Sequence, residues 1–124
     1  GLPAMSFSLS TTAENTILDW LFNGTAASSG SRYLALYTDG SGTECTGGTY
    51  ARADLAAKVP AAASGAITSD TSVSFDIGSD VATHFKVMSA SSGGTEYASG
   101  TLSTSKTGAF TIAVGDITFN AVGV

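Results

Sequence analysis

Few residues in this 124-residue chain are suited to catalysis, and the two most versatile ones, His84 and Cys45, each occur once. A Ser/His/Asp triad would have to use His84, but the Gly-x-Ser-x-Gly turn that presents a nucleophilic serine in many hydrolases is missing. A lone cysteine cannot form an intramolecular disulfide or a cysteine-based metal site. We therefore expect no catalytic residue, no structural metal and no cofactor, and we predict that the chain is not an enzyme.

Two short segments resemble ligand-binding loops without matching them. Asp39, Ser41, Thr43 and Glu44 alternate oxygen-bearing side chains as a calcium loop does, but only two of them are carboxylates. Residues 100–107 (GTLSTSKT) differ from a phosphate-binding loop because Ser105 replaces the glycine before the lysine, and no helix is predicted after them. The residues favour ordinary turns over a bound cation or nucleotide.

Four tyrosines offer a different kind of chemistry. Tyr33, Tyr37, Tyr50 and Tyr97 would form a platform for a sugar ring if they shared one face of a sheet. Tyrosines on strands are more often found at the edge of a core with a solvated hydroxyl. A carbohydrate-binding module is therefore kept as an alternative function.

The composition narrows the class of partner. Only 12% of residues are charged and the net charge is −5, so the chain has no cationic stripe for a phosphate backbone and we exclude nucleic acid as a partner. No apolar run approaches the roughly 18 residues that span a bilayer, so we expect no membrane partner either. The length fits a single domain over residues 1–124.

One helix is predicted near the N-terminus, after residues 1–8, which we interpret as an extended arm or a short edge strand. Thr11 and Glu14 form a capping box, and Asn23-Gly24 provides a stop, so the helix should cover residues 12–22. Apolar residues at three- and four-residue spacing form a stripe along it. We expect this stripe to lie against a sheet, with Trp20 in the core.

Strands are predicted for most of the remaining chain. Residues 32–38 are apolar on both faces, which is typical of a central strand, whereas residues 66–77 alternate and end at Gly78. Residues 83–90 and 95–102 read as a hairpin, and residues 109–120 as one or two further strands. The pattern predicts an antiparallel β-sandwich, jelly-roll or Ig-like, with the N-terminal α-helix packed against it.

Several short motifs in this chain occur together, in the same order, in a known family. They are LDWLFNGTA (18–26), YLALYT (33–38), GTE (42–44), GGTYAR (47–52), THFKV (83–87), GTEYASGTLSTSKT (94–107) and GDITF (115–119). In these motifs the chain resembles small virion structural proteins of tailed bacteriophages, which are commonly labelled tail-fibre-like or decoration proteins. Each motif is short, but together they extend over nearly the whole chain.

The resemblance implies a non-enzymatic β-rich component of the virion, assembled in the host cytoplasm. Our first expectation is a capsid decoration (cement) protein that binds and stabilises the major capsid protein shell. The alternative within the same class is a tail or tail-fibre subunit. The expected partners are the major capsid protein or other virion subunits, and we expect a homo-oligomer on a symmetric lattice.

The two ends of the chain are the candidate partner-binding segments. Leu2, Met5 and Phe7 give the N-terminal arm an apolar character, and Val122 and Val124 do the same at the C-terminus. Such ends can add to a neighbouring subunit as an edge strand. With so few charged residues, we expect the attachment to tolerate high salt.

Overall fold

One helix and seven strands form the described part of the chain, residues 5–26 and 30–120 of a computed structural model. In chain order they are β1 (Met5–Leu9), α1 (Thr11–Asn23), β2 (Tyr33–Tyr37), β3 (Ala53–Asp54), β4 (Ala66–Thr68), β5 (Val73–Met88), β6 (Glu96–Ile112) and β7 (Thr118–Asn120). A five-stranded sheet has the order β1-β6-β5-β2-β3, and β4 pairs with β7 in a second sheet. Every pairing is antiparallel. The predicted mainly β fold with one N-terminal helix is confirmed.

Two long strands dominate the larger sheet. β5 has 16 residues and β6 has 17, and they pair along nearly their whole length. The predicted end of a strand at Gly78 is wrong, because β5 continues through this glycine. Gly78 has a φ of 60°, and the register with β6 shifts between Asp76 and Val81. The glycine therefore forms an irregularity within the strand, where its freedom at positive φ is needed, rather than a turn.

The main core consists of residues from the five-stranded sheet and from loops, and Phe119 of the second sheet packs against it half-buried. Its largest fully buried side chains are Phe85, Leu34, Leu36, Ile77, Ile117 and Cys45. β2 lies between β5 and β3, and four of its five residues are buried. Leu34 and Leu36 belong to the main core, whereas Ala35 and Tyr37 form a smaller cluster with Met88. The prediction that this strand is buried on both faces is confirmed.

The helix begins one residue earlier than predicted. Ser10, not Thr11, is the N-cap: its backbone is extended, and its hydroxyl accepts a hydrogen bond from the amide of Ala13 at 3.1 Å. The Ser10 amide in turn donates to the carbonyl of Tyr97 at 2.8 Å, which fixes the cap to β6. The helix ends at Asn23 with Gly24 in the left-handed conformation, at φ 70°. The predicted stop is therefore confirmed.

Candidate functional site

Four large apolar side chains are exposed on the C-terminal half of α1. Leu18 is 45% exposed, Trp20 55%, Leu21 56% and Phe22 78%, and we call these four residues the helix patch. The prediction that Trp20 lies in the core is wrong. Exposed apolar side chains are ordinary when isolated, but four on one short segment are the pattern of an interaction surface.

The position of the helix on the sheet explains the exposure. Ala13, in its first turn, is buried, Ile17 is half-buried, and every residue from Leu18 to Asn23 is exposed. α1 contacts β6, and a helix of 13 residues is about 20 Å long. The apolar stripe is therefore covered by the protein's own sheet only in its N-terminal half, and it continues past the covered region.

The helix patch is also wide. At about 100° per residue, its four side chains span about 200° of the helix circumference. The opposite side is polar, where the amide of Asn23 donates to the carboxylate of Asp19 at 3.1 Å. A helix that is apolar over more than half of its circumference requires cover on more than one side. The breadth of the LDWLF motif is the signal in the sequence that one sheet face would not cover it.

A second cluster closes the loop between β2 and β3. Both carboxylate oxygens of Glu44 accept hydrogen bonds from the Arg52 guanidinium, at 2.9 and 3.0 Å. The same guanidinium donates to the carbonyls of Ala90 and Gly93, each at 2.8 Å, and the Arg52 side chain is only 6% exposed. We call this set the Arg52 clasp. It joins the 39–52 loop to the turn between β5 and β6.

The pKa of Glu44 reflects the clasp. Burial by itself would raise this pKa, but hydrogen bonds from Arg52 and Tyr50 and the positive charges of Arg52 and Lys86 together lower it. Glu44 also accepts a hydrogen bond from the Tyr50 hydroxyl, and that hydroxyl accepts one from the amide of Leu36 at 3.1 Å. The Tyr50 hydroxyl thus pairs with an amide of β2 that lies beyond the end of the two-residue strand β3. These contacts explain the Glu44 and Tyr50 side chains as structural.

The carboxylates of the 39–44 segment accept hydrogen bonds from groups of the same chain. One carboxylate oxygen of Asp39 accepts from the amides of Ser41 and Thr43, at 3.0 and 3.1 Å. These hydrogen bonds lower the pKa of Asp39 to about 2. Glu44, the other carboxylate, belongs to the Arg52 clasp. Among residues 5–26 and 30–120, no group of three or more potential metal ligands comes together.

His84 and Cys45, the two residues most suited to catalysis, lie in different surroundings. Nδ1 of His84 lies 2.7 Å from the hydroxyl oxygen of Thr83, and this hydroxyl donates its hydrogen to the carbonyl of Thr38. Nδ1 is thus paired with a hydroxyl rather than with the carboxylate that a triad requires. Cys45 is 1% exposed, and burial together with nearby Asp80 and Glu44 raises its pKa to about 11. Its thiol is thus held in the unreactive protonated form.

The four tyrosines do not form one platform. Tyr50 stacks on Phe75 at the main core, whereas Tyr37 belongs to the smaller cluster and lies under the ammonium group of Lys86, 4.9 Å from the ring centre. Tyr97 lies under the guanidinium of Arg32 at 4.5 Å. Since their ring faces are occupied by neighbours of the same chain, these three tyrosines do not provide the shared flat surface expected of a sugar site.

A polar cleft crosses the sheet next to His84, with a volume of about 380 Å³. Asp39, His84, Lys86 and Glu96 contribute its charged or titratable lining. Lys86 and Glu96 form an ion pair at 3.0 Å, and Asp39 is held by its own loop. The charged groups of the cleft are thus largely bonded to one another or to their own backbone.

The predicted partner-binding residues at the chain ends fall in different places. Leu2, Val122 and Val124 lie outside the described residues. Met5 and Phe7 belong to β1, which pairs with β6 of the same chain. The ring of Phe7 meets that of Phe119 edge to face at 4.9 Å, and so faces the core of its own chain. A role for these five residues in partner binding stays a prediction.

The described residues thus combine an antiparallel β scaffold, loops closed by internal hydrogen bonds, and a broad uncovered apolar surface on one helix. These are features of a structural protein. Residues 8–123 match the family described as Podophage GP4 fiber I protein gp80. The match extends over nearly the whole chain, so the chain belongs to this family, and it is a tail-fibre-like structural component of a bacteriophage virion.

Two further findings accompany the family match. No curated protein matches the sequence. None of the helices in the described part of the chain is long and apolar enough to cross a bilayer.

Proposed function

We propose that this chain is a subunit of the phage tail, of the tail-fibre type, and that it is held in the particle by an apolar contact between proteins. The family match over residues 8–123 carries this proposal, because the family is described by a fibre protein. It favours the alternative of a tail or tail-fibre subunit over our first expectation of a capsid decoration protein.

The exposed surface supports the apolar contact. Four of the six large apolar side chains that are exposed on the described residues belong to the helix patch. The chain also carries only five basic and ten acidic residues, so it offers little for attachment by charge pairs, each of which would contribute at most about 1 kcal/mol. An apolar surface on a helix is then the natural attachment point.

Electron microscopy of intact particles labelled with an antibody against this chain tests the location. We expect the label at the tail. Label distributed over the shell would refute the proposal and support the capsid decoration function. Labelling of particles made by a phage that lacks the gene for this chain is the control for specificity.

A further inference from the structure

The size of the helix patch sets the size of the contact it can make. An aromatic side chain has about 150–250 Å² of surface, so the exposed fractions of Trp20 and Phe22 correspond to roughly 300 Å². Leu18 and Leu21 add about 100 Å². If about 60% of an interface is apolar, the whole contact covers roughly 650 Å² on this chain. Two such surfaces, with the exposed area of all four side chains counted as buried, give at most about 1,300 Å², near the lower end of the range of specific and stable interfaces.

Among the described residues, the helix patch is the one place where several exposed large apolar side chains lie together. The two remaining exposed large apolar residues are Val81 and Val114, which are 48% and 59% exposed and lie on β5 and on the loop after β6. Neither belongs to a cluster of comparable size. Among the described surfaces, the helix patch of a second copy thus offers the largest apolar cover for this patch, and a contact of that kind gives a closed symmetric assembly rather than a filament.

Charge favours the same arrangement. A net charge of −5 makes two copies repel each other, so a contact between them must keep their carboxylates apart. The helix patch contains no charged side chain. Asp19, the acidic residue in this half of the helix, lies about 160° around the helix from Leu21. Two copies can thus join at this surface while their charged sides stay in solvent.

We propose that the helix patch packs against the helix patch of a second copy of this chain. The proposal rests on the proposed function, of which it names the partner. Leu21 and Phe22 contribute the centre of the contact, and Trp20 extends it towards the side that the sheet partly covers. The contact is apolar, so it persists when salt screens the repulsion between the two acidic copies.

Sedimentation of the purified full chain measures the mass of its assembly and so tests the proposal. We expect an assembly of at least twice the 12.3 kDa chain mass at micromolar concentration. The variant Leu18→Gln/Leu21→Gln/Phe22→Gln keeps good helix formers on exposed positions and should be monomeric, with self-association weakened at least about 30-fold. Val114→Gln, an exposed apolar position outside the helix, is the matched control and should associate like the parent. A monomeric parent, or a triple variant that associates as the parent does, would overturn the proposal.

Cross-linking locates the contact. With a mild two-electron oxidant such as oxidised glutathione added to accept the electrons, Phe22→Cys should form a disulfide between two copies. Thr16→Cys, on the polar side of the same helix, should not, and the buried Cys45 should stay unreacted in both variants. Equal cross-linking of the two variants would refute a contact at the helix patch. Raising the salt to about 1 M should leave the assembly intact, because the screening length is then about 3 Å. Dissociation by salt would identify an electrostatic contact instead.

The two proposals can fail separately. If the purified parent chain is monomeric but the particles are labelled at the tail, self-association is rejected and the proposed tail subunit is kept. The helix patch is then covered by a different virion protein. A patch-dependent assembly of the purified chain, with label over the shell, would keep self-association and reject the tail location.

Discussion

Removing the charge of Arg52 should destabilise the fold more than any other single change of a charged residue in the described part of the chain. Arg52→Met keeps most of the side-chain volume but removes five donors. The guanidinium makes four hydrogen bonds between 2.8 and 3.0 Å, two to Glu44 and two to the carbonyls of Ala90 and Gly93. The variant would therefore leave one carboxylate and two backbone carbonyls without these partners.

The magnitude follows from the burial of the two partners. Breaking a fully buried ion pair costs about 3–5 kcal/mol, because the remaining charge stays desolvated. Arg52 is 6% exposed but Glu44 is 27% exposed, so water reaches the carboxylate and reduces that cost. We expect a loss of about 2–3 kcal/mol. For a chain of this length this corresponds to a fall in Tm of about 10 °C.

Thermal and urea unfolding followed by circular dichroism measure this loss. Arg32→Met is the control: Arg32 is half-buried, donates to the carbonyls of its near neighbours Gly30 and Ser31, and lies 4.5 Å from the centre of the Tyr97 ring, a cation–π contact worth about 0.5–1 kcal/mol. The double variant Arg52→Met/Glu44→Gln should recover part of the stability, because it removes the unpaired charge. Equal losses in Arg52→Met and Arg32→Met would show that the clasp contributes no more than the local contacts of a half-buried arginine.

Three further predictions concern the helix, the loop and acid. Trp20→Ala should change the free energy of unfolding by less than about 1 kcal/mol, whereas Phe85→Ala in the core should cost about 3–5 kcal/mol; equal losses in urea unfolding would contradict the exposure of the helix. Gly48→Ala should cost about 2–4 kcal/mol, because its Cβ would lie 2.7 Å from a backbone carbonyl of β5 and its φ is +57°. Gly65→Ala has a similar φ but open space and should cost only about 1–2 kcal/mol in the same assay. The pKa of Glu44 is lower in the folded than in the unfolded chain, so its stabilising contribution is present above about pH 4.3 and is lost as the pH falls through the folded pKa. The urea concentration at the midpoint of unfolding should therefore decrease as the pH is lowered from 5 to 2, and it should decrease by less in Glu44→Gln. An equal decrease in both proteins would show that Glu44 is not the origin of the effect.

Local sequence patterns predicted those elements that depend only on residues close together in the chain. The stop of α1 depends on Gly24 and the preceding helix alone, and its position was predicted correctly. The burial of β2 on both faces follows from consecutive apolar residues, and the alternation of residues 73–77 predicts their strand. The mainly antiparallel β class follows from the number and spacing of such strands. The family resemblance likewise depends only on the order of short motifs.

Long-range pairing decided the rest. β5 continues through Gly78 because β6 pairs with it on both sides of the irregularity, which no window around the glycine contains. Arg52 and the carbonyls of Ala90 and Gly93 are 38 and 41 residues apart, so the clasp exists only once the sheet has formed. The apolar stripe on α1 indicates that the helix needs a covering surface, but it does not identify that surface. The sheet covers only the N-terminal half of the helix and therefore leaves Trp20 in solvent. A hydrophobic pattern indicates that a residue needs a partner surface, and only the tertiary structure determines whether the same chain supplies that surface.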